Sequence, residues 1–352
     1  MSSLHTDNGD DVVSAAVSTT PPEDALRLVR THYALSGAIR RLGSERDENF
    51  HILANDGSEF LLKLANASEE RAVTEFQTNA LLYVARADPG LPVPHLVPDA
   101  DGQVSQLVTV AGLPPRVMRL YTYVRGEPLH GAPRSSAQCR NLGRVLARLD
   151  RALEGYSHPG EGYELRWDLT RAASLRPLLA HIDEPGRRAL ATRFLDNFEQ
   201  RALPRLPGLR AQVIHNDFQP SNVLVDATDP TAVCGIIDFG DMVRAPLIND
   251  VAVAGAYHVA TAPAPLDFVV ALTAAYNEVH ALLPDEVDLL YDLIATRLVL
   301  TAVITNWRVT LHPGNRDYIL RNAPAAWCGL ERLAGIARDQ AGRLMRTACG
   351  LE

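Results

Sequence analysis

His215-Asn216-Asp217-Phe218-Gln219-Pro220-Ser221-Asn222 runs on through Val223-Leu224-Val225 and is answered by Ile236-Ile237-Asp238-Phe239-Gly240-Asp241-Met242; how this stretch is read decides the fold. Two apolar runs flank the turn Asp226-Ala227-Thr228-Asp229-Pro230. The segment therefore reads as a β-hairpin preceded by a loop that Pro220 keeps tight. A hairpin folding back at that turn brings Asn222 beside Asp238 despite their separation in sequence. An amide oxygen next to a carboxylate, with a second carboxylate at Asp217, suits a hard, oxygen-ligated ion such as Mg2+ that nucleotide phosphates help to hold. Asp217 is then placed to accept the proton of an attacking hydroxyl. Taken singly, each piece has a plainer explanation: His-X-Asp is common, Asp-Phe-Gly often marks a turn, and a loop Asn is often an Asx turn. Their joint order, with strands flanking both halves, is what selects phosphoryl transfer.

Upstream, the chain alternates as short strands: AIRRL from Ala38, NFHILAN from Asn49, the turn Asp56-Gly57, then EFLLKLA. Asp-Gly between two apolar runs is a strong hairpin signal. A helix follows over 67–87, then a proline-rich loop, then QLVTV and RVMRLYTYV across AGLPP. The expectation is an antiparallel sheet of about five strands with one inserted helix. The strand FLLKLA carries Lys63, the only lysine in a chain with 33 arginines. Arginine replaces lysine readily as a surface cation, but not where a compact ammonium is required. A lysine on the third strand of such a sheet is where kinases hold the α- and β-phosphates. Glu75, on the helix after it, is the expected ion-pair partner. Glu69 and Glu70 are rivals, but acids at a helix start are also explained by the helix dipole.

Downstream of Val124, RGEPL reads as a turn and the pattern turns helical, with a long amphipathic helix over 135–153, at least one more within 171–203, and others over 251–260, 266–282, 285–312 and 324–347. The expected organisation is a disordered tail over 1–20, a nucleotide-binding lobe and hinge over 21–124, and a catalytic and acceptor-binding lobe over 125–352. The fold class is α+β: a bilobal arrangement of a small antiparallel β-lobe and a larger α-rich lobe with a β-hairpin insert. A ligand between two such lobes is the default expectation.

HNDFQPSNVLV resembles the catalytic loop, and IIDFGDM the metal-binding segment, of the aminoglycoside phosphotransferase and choline-kinase-like branch of the protein-kinase-like superfamily. The resemblance covers about residues 23–340. RAPLINDVA is similar to that branch's short link after the metal motif. There the resemblance implies that Asp250 braces the catalytic loop, with His215 as structural support. The link is too short for a regulatory activation segment, which argues against a protein substrate. Within the branch the chain is most similar to hydroxylysine kinases and to the kinase domain fused to class III aminotransferases, through VRGEPL, Trp167-Asp168, DFGDM with DVAVAGAYHVA, RLVLTAVITNW and HPGNRDY. This implies nucleotide-dependent O-phosphorylation of a small hydroxyl compound bearing an amine, in a metabolic role or in antibiotic resistance or biosynthesis.

The chain departs from the branch in two places. The phosphate-covering loop, LGSERDENF, holds one glycine, leaving backbone amides around Gly43–Asn49, with Ser44, to cover phosphates. Gln219-Pro220-Ser221 is closer to the antibiotic-kinase form. The nucleotide base is expected at Tyr121, Tyr123 and Val124, and ATP and GTP both fit. Asp168, Asp241 and Trp307 are candidate acceptor contacts, since an amine wants carboxylates or aromatic faces near Asp217. Trp167 and Trp307 are equally well explained as core aromatics.

Composition sets the frame. With 47% hydrophobic and 22% charged residues, the 352-residue chain is globular in type. The net charge of -8 argues against general nucleic-acid binding and tolerates a cationic or zwitterionic acceptor. No charge-free apolar run is long enough to span a membrane, and no basic region followed by an apolar core marks a secretory signal. Cys139, Cys234, Cys328 and Cys349 are scattered and form no metal-type pair. They read as reduced thiols of a cytoplasmic protein. The competing class, a nucleotide-binding pseudokinase, is opposed by the filling of every catalytic position.

Overall fold

The computed structural model describes residues 19–44, 46–110 and 112–351. The chain divides into two compact units: one runs to Arg125 and takes in Tyr156–Leu165, and the other comprises Gly126–Gly155 and Arg166–Glu352.

The first unit is built on β1 (Gly37–Leu42), β2 (Glu48–Ala54), β3 (Glu59–Leu64), β4 (Gln106–Val108) and β5 (Arg116–Thr122), antiparallel in the order β1-β2-β3-β5-β4. Helix α1 (Pro22–Tyr33) seals one face. Its Ala25 and Val29 join Phe50, Ile52, Leu62, Leu64, Val108, Met118 and Leu120 in a buried cluster. Side chains alternate across a strand, so Lys63 and Arg119, register partners on β3 and β5, fall on the opposite face. There Arg119 donates to the Thr74 carbonyl of α2 (Arg71–Ala87). Helix α2 buries Val73, Phe76, Ala80 and Val84, the spacing of one helical face.

Residues 1–18 of the expected tail lie outside the described residues. Thr20, at its end, is fully buried, its N–H and hydroxyl both donating to Glu48. Sequence reading also missed the return of Tyr156–Leu165 to this unit. Tyr156 donates to the Phe76 carbonyl at 2.7 Å and stacks on its ring. Gly160 lies so close to α2 that a Cβ there would stand 2.3 Å from the Ala72 carbonyl oxygen.

In the second unit α3 (Ser136–Ala152) packs on α6 (Asp267–Val279). Gly143 permits the approach, since a Cβ would meet the Leu272 carbonyl at 2.1 Å. At the centre lies α7 (Leu290–Leu311), buried on nearly all sides against α4 (Pro185–Asn197), α5 (Ile248–Ala256), α8 (Ala323–Ala334) and a 3-10 winding over Leu169–His181. The helix expected over 285–312 is interrupted: a short turn, Pro284–Val287, ends before α7 starts. That over 324–347 breaks at Gly335, and α9 (Arg338–Ala348) follows. Among the described residues no helix is long and apolar enough to cross a membrane.

Strands β7 (Ala211–Ile214) and β10 (Val243–Pro246) pair antiparallel. β8 (Val223–Val225) and β9 (Val233–Ile236) form the expected hairpin. The segment read as the turn RGEPL instead adds a short strand, β6 (Glu127–Pro128), to β8.

Candidate active site

The loop between β7 and β8 is held from beneath by Asp250, in the first turn of α5. Its two oxygens accept the backbone N–H groups of His215 at 2.9 Å and Asn216 at 2.7 Å. His215 is fully buried: Nε2–H donates to the Ile237 carbonyl, and Nδ1 accepts the Asp217 N–H at 3.2 Å. That pairing fixes the orientation of the ring. The loop is thereby tied to the segment that leads from β9 to Asp238. Ala34, Asn216 and Asp238 are the described non-glycine residues at positive φ. Two of the three thus lie in the motif that opened the sequence reading, a disposition common where strain serves a site.

Behind Asp250 sits a second acid. Asp150 on α3 is fully buried and accepts the Tyr276 hydroxyl at 2.6 Å. Burial, then the facing Asp250, pushes its carboxyl well above the usual range. Two buried carboxyls that face one another do not both ionise. Asp250 already accepts two backbone N–H groups, so Asp150 carries the proton.

Asp217 is buried, with both oxygens engaged. Oδ2 accepts the amide nitrogens of Asn222 at 2.7 Å and Gln219 at 2.8 Å, and Oδ1 accepts Nη2 of Arg297 at 2.9 Å. Burial raises its carboxyl to about 6; Arg297 and Gln219 oppose the rise, while Asp241 and Asp238 add to it. The Asn222 amide, with Nδ2 given to Asp217, keeps Oδ1 as a donor atom for an ion. The Asn222 carbonyl accepts the Ile237 N–H at 2.9 Å, which continues the hairpin ladder and brings Asn222 alongside the Asp238 segment. Asp238 is exposed and Asp241 half-buried. An amide oxygen and an exposed carboxylate fit a hard cation that keeps other oxygen ligands. Among the described residues no three or more His, Cys, Asp or Glu side chains are grouped to hold an ion by themselves.

In the first unit, Nζ of Lys63 pairs with Asp47 at 2.8 Å. Burial alone would raise the Asp47 carboxyl, but Lys63 and Arg119 outweigh it and hold it below the usual range. Glu69 lies in the same field, its carboxyl raised by burial and by Asp47. Glu75 pairs with Arg71, one turn before it on α2, and is 44% exposed; it is not the partner of Lys63. Asn49 stands opposite Lys63 across β2 and β3, its buried Oδ1 without a hydrogen-bond donor. Ser44 is exposed. Tyr121 is buried in β5, and the Tyr123 N–H donates to the Glu59 carbonyl while its ring rests against His51. Val124 follows immediately.

Of the acceptor candidates, Asp168 is occupied as a cap, accepting the N–H and hydroxyl of Thr170. Trp307 lies under the Arg166 guanidinium, 4.6 Å from its centre. Asp241 acts on Asp217 electrostatically, adding to the rise of its carboxyl. Arg297 and Asp47 escaped sequence reading. For Arg297 a signal existed: it is the one charged residue within 293–306, and a buried arginine in an apolar helix demands an acid.

Residues 38–290 match the model of the phosphotransferase enzyme family, and the chain belongs to that family. It is a small-molecule kinase. Its relatives include the hydroxylysine kinase of Danio rerio, 28% identical over 328 residues (90% of this chain and 92% of the relative), and that of Mus musculus, 25% identical over 317 residues (84% of each). The fold is shared with an amicoumacin kinase solved with AMP-PNP and Ca2+, at TM-score 0.68 and 14% identity over 91% of this chain and 97% of that one. A microcompartment-associated aminopropanol kinase gives TM-score 0.64 and 20% identity over 90% of this chain and 98% of the other.

Proposed function

We propose that the protein transfers the γ-phosphoryl group of ATP or GTP to a hydroxyl of a small amino alcohol of the hydroxylysine type. The observation that carries this reading is the Asp217 carboxylate, buried and fixed on both oxygens beside the one amide, Asn222, that keeps an oxygen for an ion. In the proposed step the acceptor O–H gives its proton to Asp217 while its oxygen bonds to the γ-phosphorus, and the bond to the departing nucleoside diphosphate breaks. A carboxyl near 6 is mostly ionised at neutral pH, yet basic enough to take that proton. Asn222 and Asp238 would hold Mg2+, which when bound offsets charge on the phosphate oxygens. Lys63 would grip the α- and β-phosphates. The Gly43–Asn49 loop with Ser44 would cover them, and the chain at Tyr121–Val124 would meet the base.

The amino-alcohol acceptor is supported by hydroxylysine kinases matching most of the chain, whereas the antibiotic kinases share only the fold. Asp241, and less directly Asp168 and Trp307, are the proposed contacts for the amine. The test is nucleoside diphosphate release with ATP and with GTP across hydroxylysine, threonine, homoserine, choline, ethanolamine and a panel of antibiotics. A vicinal amino alcohol bearing a carboxylate should show the highest kcat/KM. Turnover confined to an antibiotic would reassign the acceptor, and nucleotide binding without transfer to any of them would make the protein a pseudokinase.

A further inference from the structure

A carboxylate has about four lone-pair sites, two on each oxygen. On Asp217, Oδ2 already receives two N–H donors, from Asn222 and Gln219. Oδ1 receives one, from Arg297. The site left for an acceptor hydroxyl is therefore the second lone pair of Oδ1, the oxygen that Arg297 holds.

Arg297 is itself held on several sides. Its side chain is 2% exposed. Nη1 donates to the Trp167 carbonyl at 3.2 Å, and Nη2 is shared between Asp217 and the Tyr257 hydroxyl. The guanidinium lies over the Trp167 ring, 5.1 Å from its centre, and 5.9 Å from that of Tyr257. Nη2 of a guanidinium clamped in this way holds Oδ1 in place, and with Asn222 and Gln219 on Oδ2 it fixes the rotation of the carboxylate.

We infer that Arg297 is a positioning residue for phosphoryl transfer, turning Asp217 so that Oδ1 presents its free lone pair to the acceptor hydroxyl. The inference rests on the reading of Asp217 as the proton acceptor. The proton moves from the acceptor oxygen to Oδ1, the new O–P bond forms and the bond to the nucleoside diphosphate breaks; Arg297 stays protonated throughout. Its charge favours the ionised carboxylate before transfer and opposes proton uptake during it. The contribution to rate is therefore geometric, and small misplacements of a reacting group are costly.

The experiment compares R297M, R297K, D217N and the double variant in the full chain, by steady-state kinetics with the best acceptor of the panel. R297M should lower kcat about a hundredfold while leaving the nucleotide KM within about twofold, and R297K should recover about tenfold of the loss. Because Arg297 acts through Asp217, adding R297M to D217N should lower kcat no further. A kcat for R297M within about twofold of wild type overturns the role, as does an undiminished loss in the D217N background. If R297M does not fold, R297K decides: a reduced kcat at unchanged nucleotide KM supports the role and a wild-type kcat overturns it. A silent D217N beside a fully active R297M removes this role alone; a fully active D217N removes the base and this role together.

Discussion

Lys63 and Asp217 are the two charges on which the proposed chemistry turns, and each is met by a buried opposite charge of very different origin. The partner of Lys63 is Asp47, in the loop that leads into the neighbouring strand. The partner of Asp217 is Arg297, from a helix 80 residues further along the chain. One counter-charge is local to the sheet, within reach of the register that sets Asn49 against Lys63. The other is supplied by tertiary packing of an otherwise apolar helix. Reacting groups thus sit in short linear motifs, while the groups that hold them are recruited from wherever the fold brings a suitable charge.

The comparison is broken most severely at Lys63. Lys63→Met should lower kcat/KM about a hundredfold or more, since the phosphates lose their point charge. Lys63→Arg should impair turnover and leave the thermal unfolding midpoint in place, because a fork does not replace an ammonium there. Wild-type activity in Lys63→Arg would return the single lysine to compositional chance.

Asp47→Asn should raise the nucleotide KM about tenfold, against less than about twofold for Glu75→Gln, whose exposed pair with Arg71 is worth little. The reverse ranking would restore helix α2 as the source of the lysine's partner. Stability sharpens the same point. The Asp47 carboxyl is depressed in the folded state, so its contribution is complete above the ordinary aspartate value of about 3.9 and is lost as pH falls through the lower folded value. In urea titrations wild type should exceed Asp47→Asn at pH 7, and the gap should close on acidification.

A smaller effect is expected behind the catalytic loop. The Asp150 carboxyl is pushed well above its usual range in the folded protein, so Asp150→Asn should cost less than about 1 kcal/mol, whereas Asp150→Leu, which leaves the Tyr276 hydroxyl without its acceptor, should cost about 1–3 kcal/mol. Equal losses in urea denaturation would mean that Asp150 is ionised.

The five-strand sheet was legible because period-two alternation and the Asp56-Gly57 turn are local signals. The hairpin that joins Asn222 to Asp238 was legible for the same reason. Lys63 stood out through composition. Breaks within long helical patterns, as at Asp288-Leu289 and Gly335, were not legible, since apolar period continues across them while the backbone turns. The ten-residue return of Tyr156–Leu165 and the pairing of Arg297 with Asp217 depend on contacts far apart in sequence, which no local pattern encodes. Glu75 was misassigned because one helix turn offered it Arg71, a partner nearer than any lysine on the sheet.

The most direct test of the account is Asp217→Asn, assayed for nucleotide binding by calorimetry and for turnover by nucleoside diphosphate release with the preferred acceptor. Asn keeps the shape of the side chain and removes its capacity to take a proton. The account predicts nucleotide affinity within about twofold of wild type and a kcat lower by about a thousandfold or more. A kcat within about tenfold of wild type would contradict it.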